Sequence, residues 1–426
     1  MYPVQYHNLG DRIGFYALQD ERFRVNRLAI YFGTKLDKER SPKNAILPFL
    51  WRKGGVEYPD IISLNQKLQN LYGASIHADI FKLGDNQLVG LQSEFIDEKY
   101  TLHHESLLNE LAQLLMSLIF NPKMEENMFL EKDFALERDY LLDVIAREFN
   151  EKRLYALNRL KEIMLEGDPS GLRVYGTDAQ VRALTKESVS EAYFDLLKQA
   201  EIQIFYVGAS SPQPAIDVFA QTFSKLERTP LGTLHSLPYY RKETKRRETV
   251  QGAEVVQAKL VMGFSQQEKD NASFMTKKML VEIFGGMPTS KLFQNVREKM
   301  SLCYYCSTSF NRFKNVMIVE SGVEEGNVQM AVEAIEQQLK NIQMGEVSQE
   351  EFSQARLSLL HQLSAVADSA AKLEYWYLSN LYLGLENTPQ DCISELEKVT
   401  VEDVISLSKG FSLDTIYVLK KGDNNG

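Results

Sequence analysis

Apolar residues recur along this chain in two rhythms. Met275, Met279, Leu280 and Ile283 follow the spacing of a helix face, and Gly285-Gly286 stops them. Ser290 then stands where an N-cap belongs, ahead of a second helix with Leu292, Phe293, Val296 and Met300 on its apolar side. The apolar run Leu107 to Phe120 is broken by Asn109, Glu110 and Gln113. It is short and amphipathic, so it predicts a buried helix face and not a membrane span. Between such stretches lie β-rich runs such as Ile202 to Gly208, Val316 to Gly322 and Thr415 to Leu419. Helices come in runs between strands, without regular βαβ alternation. The pattern predicts an α+β fold, with helices on one face of a mostly antiparallel sheet.

The same order of signals occurs twice. Leu184-Thr185-Lys186-Glu187 leads to the run at Ile202, and Val399-Thr400-Val401-Glu402 leads to the run at Thr415. In both, a Thr with an acid two positions on reads as an N-cap. Upstream, Met124-Glu125-Glu126 through Phe129 is echoed by Val347 to Phe352, again at a helix start. A repeat this long implies duplication of a domain and not a solenoid. The seam holds Pro230, Gly232, Pro238 and the charged run Arg241 to Glu248, a solvated linker composition. The expected division is an N-terminal domain over 1–228, a linker over 229–250 and a C-terminal domain over 251–426.

Composition narrows the function classes. A chain of 426 residues is too long for one ordinary core. A net charge of −10 argues against a main role in binding nucleic acid. No apolar leader follows Met1, where Asp11, Arg12, Asp20 and Glu21 stand. Three cysteines are too few and odd for a disulfide scaffold, which points to a reducing compartment. A cytoplasmic location is the expectation.

Candidate chemistry concentrates between Gly285 and Tyr304. The segment matches the pattern GG-x(3)-S-x-L-F-x(3)-RE-K-x-x-L-x-Y. It resembles the C-terminal signature of pitrilysin/insulinase-type zinc peptidases, similar to the mitochondrial processing peptidases. Lys291 stands where that family usually has Arg, Met300-Ser301 where it has Arg-Gly, and Cys303 where it has Ala. The resemblance implies that Arg297 and Tyr304 hold the substrate. A guanidinium at a helix end and a phenol at the start of the returning strand can both donate to a peptide carbonyl and to its oxyanion. Residue types alone favour a plainer reading, in which Arg297 pairs with an acid and Tyr304 packs.

The family's other landmark is an HxxEH helix. Two imidazoles hold zinc, a Glu acts as general base, and a third ligand comes from elsewhere. Lys53-Gly54 sets the register and places Ala45 and Phe49 at the two His positions and Pro48 at the Glu. Glu137-Arg138 sets the second register and places Val144 at the third ligand. Asp143 is adjacent but points about 100° away round a helix. The metal positions are therefore degenerate. Pro48 predicts a helix that starts late or kinks. The six histidines offer no replacement set, since His103 and His104 are neighbours that do not face each other.

The remaining motifs read as packing. Cys303-Tyr304-Tyr305-Cys306 is a CxxC, but in a regular strand its thiols diverge. Tyr375, Trp376, Tyr377 and Tyr382 read as core or interface aromatics. Leu71 to Ala78 resembles the family strand that pairs with extended substrate, which makes His77 a candidate substrate contact.

The resemblance implies the zinc-less subunit of a bacterial heterodimeric peptidase. Its partner is a homologous HxxEH-bearing subunit, its substrate an extended peptide, and no cofactor belongs to this chain. Zinc is expected in the partner alone. No enzyme activity is expected of the isolated chain, for which a homodimer is open. The acidic charge favours basic peptides weakly. The alternatives are a structural subunit, as in family members that became scaffolds of respiratory complexes, and a dimer that binds peptides without cutting them.

Overall fold

The computed structural model describes residues 4–241 and 245–422. Lys242, Glu243 and Thr244 of the linker lie outside them. The first sheet contains β1 (Gln5–Gly10), β2 (Ile13–Gln19), β3 (Val25–Lys35), β4 (Ser75–Leu83), β5 (Asn86–Ile96) and β6 (Glu201–Gly208), in the order β1-β2-β6-β3-β5-β4. The second contains β7 (Arg247–Ala253), β8 (Ala258–Gln266), β9 (Cys303–Asn311), β10 (Val316–Val323) and β11 (Phe411–Lys421), in the order β9-β10-β8-β11-β7. In each sheet one pair is parallel, β2 with β6 and β11 with β7, and the rest are antiparallel. The two orders superimpose strand for strand from β4 and β9 inward. The fold is α+β in two related halves, as the repeated signals imply.

The helices repeat as well. In the first half run α1 (Arg40–Arg52), α2 (Ile61–Asn70), α3 (Leu107–Phe120), α4 (Glu131–Asn150), α5 (Lys152–Met164), α6 (Lys186–Gln199) and α7 (Gln213–Phe223). In the second run α8 (Phe274–Val281), α9 (Val328–Gln343), α10 (Gln349–Ala367), α11 (Ala370–Leu383), α12 (Pro389–Leu396) and α13 (Val401–Ser408). Thr185 and Thr400 cap α6 and α13 by accepting from the amides of Ser188 and Asp403. The apolar run Leu107 to Phe120 is α3, buried along one face. Among the described residues no helix is long and apolar enough to cross a membrane.

The chain forms two compact units that are not simple halves. One comprises 1–145, 172–235 and 367–385; the other comprises 146–171, 236–366 and 386–426. The division falls at His235/Ser236, inside the stretch read as a linker, but each half lends one helix to the other unit. In the first unit α1, α3, α6 and α7 build the main core on one face of the sheet, around Leu28, Ile30 and Phe32. The opposite face carries Tyr31 and Gly33 and meets α11. In the second unit α5 supplies Ala156, Leu160 and Met164 against Val261, Ile318, Tyr417 and Leu419. Contiguous domains are what composition breaks suggest. They miss the exchange because α5 and α11 carry ordinary amphipathic patterns that do not say which sheet they cover.

Candidate functional site

Helix α1 runs unbroken from Arg40 to Arg52 with Pro48 inside it, so Pro48 does not delay its start. A proline there removes one ladder bond. The helix is held by burial instead: Ala45, Ile46, Leu47, Leu50 and Trp51 are in the core. Ala45 is fully buried and Phe49 packs on the same core, its ring edge-to-face with Tyr140 at 5.1 Å. Tyr140 lies one turn before Val144 on α4, so the two share a face. Asp143 is exposed. Nearby, Lys53 pairs with Glu137 at 3.0 Å, and burial still pushes the Glu137 carboxyl up. A divalent zinc site needs imidazole, thiolate or carboxylate donors. Ala45, Pro48, Phe49 and Val144 have apolar side chains, so these residues do not fit the metal. Among the described residues no group of three or more His, Cys, Asp and Glu could hold one.

Arg297 and Tyr304 both lie in the second unit. Arg297 stands near the end of a π-helix, Leu292–Lys299, which is anchored by buried Leu292 and Val296. Its guanidinium lies 4.4 Å from the Phe293 ring centroid and 3.7 Å from Glu298, and its side chain is 37 % exposed. The ring sets its direction while leaving its donors to solvent. Lys291, at a usual Arg position, is buried and bound to Glu351 at 2.8 Å.

The chain then reverses through Ser301, which has a left-handed φ of 51°. The turn closes with Met300 N–H donating to Asn295 and Leu302 N–H to Val296. Glycine fits this conformation without a Cβ penalty, which explains the Gly in the family pattern. Ser301→Gly is expected to stabilise the protein by about 0.5–1 kcal/mol, the left-handed penalty less the chain entropy that glycine adds. A denaturation midpoint that stays put or falls would show that Ser301 is unstrained.

Strand β9 opens with a bulge that sequence patterning did not reveal. Cys303 faces Val323 and Tyr305 faces Gly322, so Tyr304 is the extra residue. A bulge re-aims the side chain it carries. Tyr304 accordingly points out, 55 % exposed, and its hydroxyl donates to Glu324 Oε1 at 3.1 Å. That hydrogen bond and the carboxylate charge raise the phenol pKa above its ordinary value. Glu324 is the neighbour the sequence reading missed. Twenty residues separate it from Tyr304, and only the β9–β10 pairing brings them together.

The bulge also corrects the reading of the CxxC. Cys303 and Cys306 face Val323 and Ser321, positions two apart on β10, so both thiols lie on one face and are buried. His77 is exposed on β4, an edge strand that among the described residues pairs with β5 alone. Beside it is a shallow groove of about 310 Å³ lined by Arg52, Ile61, Leu64, Leu68 and Ala74. Of the aromatic cluster, Tyr377 and Tyr382 are buried in the first unit and Tyr375 is exposed.

Comparison with known proteins agrees with this picture. Residues 183–359 match the family model described as "Peptidase M16 inactive domain". The chain is 29% identical over 409 residues to the "probable inactive metalloprotease YmfF" of Bacillus subtilis, covering 95% of each. A conserved protein from Enterococcus faecalis superimposes with a TM-score of 0.89 at 25% identity over 100% of both chains. The peptidase M16 inactive domain from Pseudomonas fluorescens does so at 0.76, with 15% identity over 99% of both. The two-unit α+β fold is shared with these structures. The chain is similar to M16-type proteins of the inactive kind.

Proposed function

We propose that this chain is the zinc-less subunit of a two-subunit M16-type peptidase. It donates Arg297 and Tyr304 to a site that a homologous HxxEH-bearing subunit completes with zinc. The observation that carries this reading is the bulge at Tyr304. A residue that merely packed would have no need of an interruption that turns its phenol outward on an edge strand. The edge strand β9 also leaves backbone donors and acceptors unpaired, which suits an extended peptide. Strand β4, with His77 and its groove, has the same character. Tyr304 donates to a peptide carbonyl after leaving Glu324, and Arg297 holds the backbone beside it. A cytoplasmic location belongs to the same reading.

The isolated chain is then expected to take up no stoichiometric zinc and to cleave no peptide. Protein purified free of metal, re-exposed to zinc and desalted tests the first by elemental analysis. A quenched-fluorescence peptide assay with and without chelator tests the second. One zinc per chain, or chelator-sensitive turnover by the chain alone, would overturn the assignment.

A further inference from the structure

We propose that Cys303 and Cys306 form a dithiol site that closes reversibly to a disulfide across the Tyr304 bulge. The register supplies the geometry. The two cysteines oppose positions two apart on β10, a separation of roughly 6.4–6.8 Å along a strand. That is the upper end of the range a disulfide spans between Cα atoms, about 4.4–6.8 Å, and the Cβ atoms must come within about 3.5–4.5 Å, so closing requires the bulge to tighten. Without the bulge, residues three apart would point to opposite faces and no bond could form. With it, the pair shares one buried face, and the two residues between them are Tyr304 and Tyr305.

The surroundings divide the two thiols into unlike roles. The Ser321 hydroxyl beside the pair donates to the Tyr305 carbonyl at 2.9 Å. Cys306 donates to the sulfur of Cys303, and the charge of Arg297 lies close enough to favour the thiolate. These lower the Cys303 pKa against the opposing effect of burial. Cys306 is driven the other way, chiefly by the bond it gives to Cys303 and by burial. Cys303, at 9 % exposure against 5 % for Cys306, is also the more accessible. It is therefore the attacking sulfur, and Cys306 resolves. Cys392 is buried in a separate place and has no such partner thiol among the described residues.

With hydrogen peroxide as oxidant the step balances. The Cys303 thiolate attacks one peroxide oxygen, the O–O bond breaks, hydroxide leaves and a sulfenic acid forms. The Cys306 sulfur then attacks the Cys303 sulfur, and its thiol proton leaves with the sulfenic oxygen as water. Two electrons pass from the two sulfurs to the peroxide. A low-molecular-weight dithiol returns the pair by exchange. In a reducing compartment such a bond is transient and suits a sensor rather than a staple. Closing it draws in the bulge that carries Tyr304. The dithiol chemistry does not depend on whether peptides bind.

The full-length folded protein tests this with a trivalent arsenical, phenylarsine oxide, which needs two thiols on one face. Wild type is expected to bind one equivalent. Cys303→Ser and Cys306→Ser are each expected to weaken binding by at least about tenfold, since the second bond is made at high effective concentration. Peroxide followed by alkylation and peptide mapping is expected to link Cys303 to Cys306 within one molecule, reversibly with dithiothreitol, and to leave Cys392 alkylated. In Cys306→Ser, dimedone is expected to label Cys303. Should either variant fail to fold, the wild-type measurements decide. Folded wild type that binds no arsenical and keeps both thiols alkylated after peroxide would overturn the proposal.

Discussion

With an HxxEH-bearing partner present, Tyr304→Phe is expected to lower turnover by about 10²–10³. In the proposed role it removes one hydroxyl donor to the reacting carbonyl and leaves the ring. The bulge is set by the backbone pairing of Cys303 and Tyr305 with β10, so the fold is expected to stay intact. Arg297→Ala is expected to cost both binding and turnover, because a guanidinium holds the substrate backbone in ground and transition states alike. The double variant is expected to lose less than the sum if the two act as one unit. Steady-state kinetics on the reconstituted pair read this out, with co-purification showing that assembly survives. If both variants assemble and cleave at the wild-type rate, Arg297 and Tyr304 are relics with no part in cleavage. The structural-subunit reading then takes over.

The largest expected loss of stability comes from Arg27→Ala. Arg27, 11 % exposed, donates to Glu374 at 2.7 Å and to Glu94 at 2.8 Å, and lies 3.9 Å from Asp79. Glu374 is 3 % exposed on α11 and also accepts from Tyr31 at 2.6 Å. Removing the cation leaves the buried Glu374 carboxylate without its counter-ion, at a cost of about 3–5 kcal/mol. Burial already raises the pKa of Glu374 and Asp79 in the presence of Arg27. Without it both rise further. A carboxyl whose folded pKa lies above its unfolded value favours folding below the unfolded value, and that contribution is lost as pH rises through the folded value. The penalty of Arg27→Ala is therefore expected to be largest near neutral pH and to shrink as pH falls toward the carboxylate range. Chemical denaturation at several pH values measures it. A penalty below about 1 kcal/mol and flat with pH would mean the cluster behaves like exposed charges.

This cluster shows where sequence reading stops. The fold class and the duplication were legible, because Thr185 and Thr400 announce equivalent helices and each precedes an equivalent strand. At the positions that Lys53-Gly54 and Glu137-Arg138 put in register with the family's ligands, the sequence shows only that Ala45, Phe49 and Val144 offer no donor atom. The exchange of α5 and α11 was not legible. Arg27 and Glu374 are far apart in the chain, and neither carries a local signal that it will meet the other. The bulge at Tyr304 was hidden for a different reason. Alternation along Cys303 to Ser309 is compatible with a regular strand, and only pairing with β10 shows the extra residue. From that single irregularity follow the outward phenol, its bond to Glu324 and the shared face of the two thiols.

In the proposed function this chain completes a zinc site held elsewhere. Affinity purification of the tagged full-length chain from its native cell, with zinc content and peptidase activity measured on what comes down, tests it most directly. The expected result is a homologous subunit bearing HxxEH, one zinc per pair assigned to that subunit, and chelator-sensitive cleavage that neither chain shows alone. Recovery of this chain by itself or as a homodimer, with no such subunit and no cleavage, would contradict it.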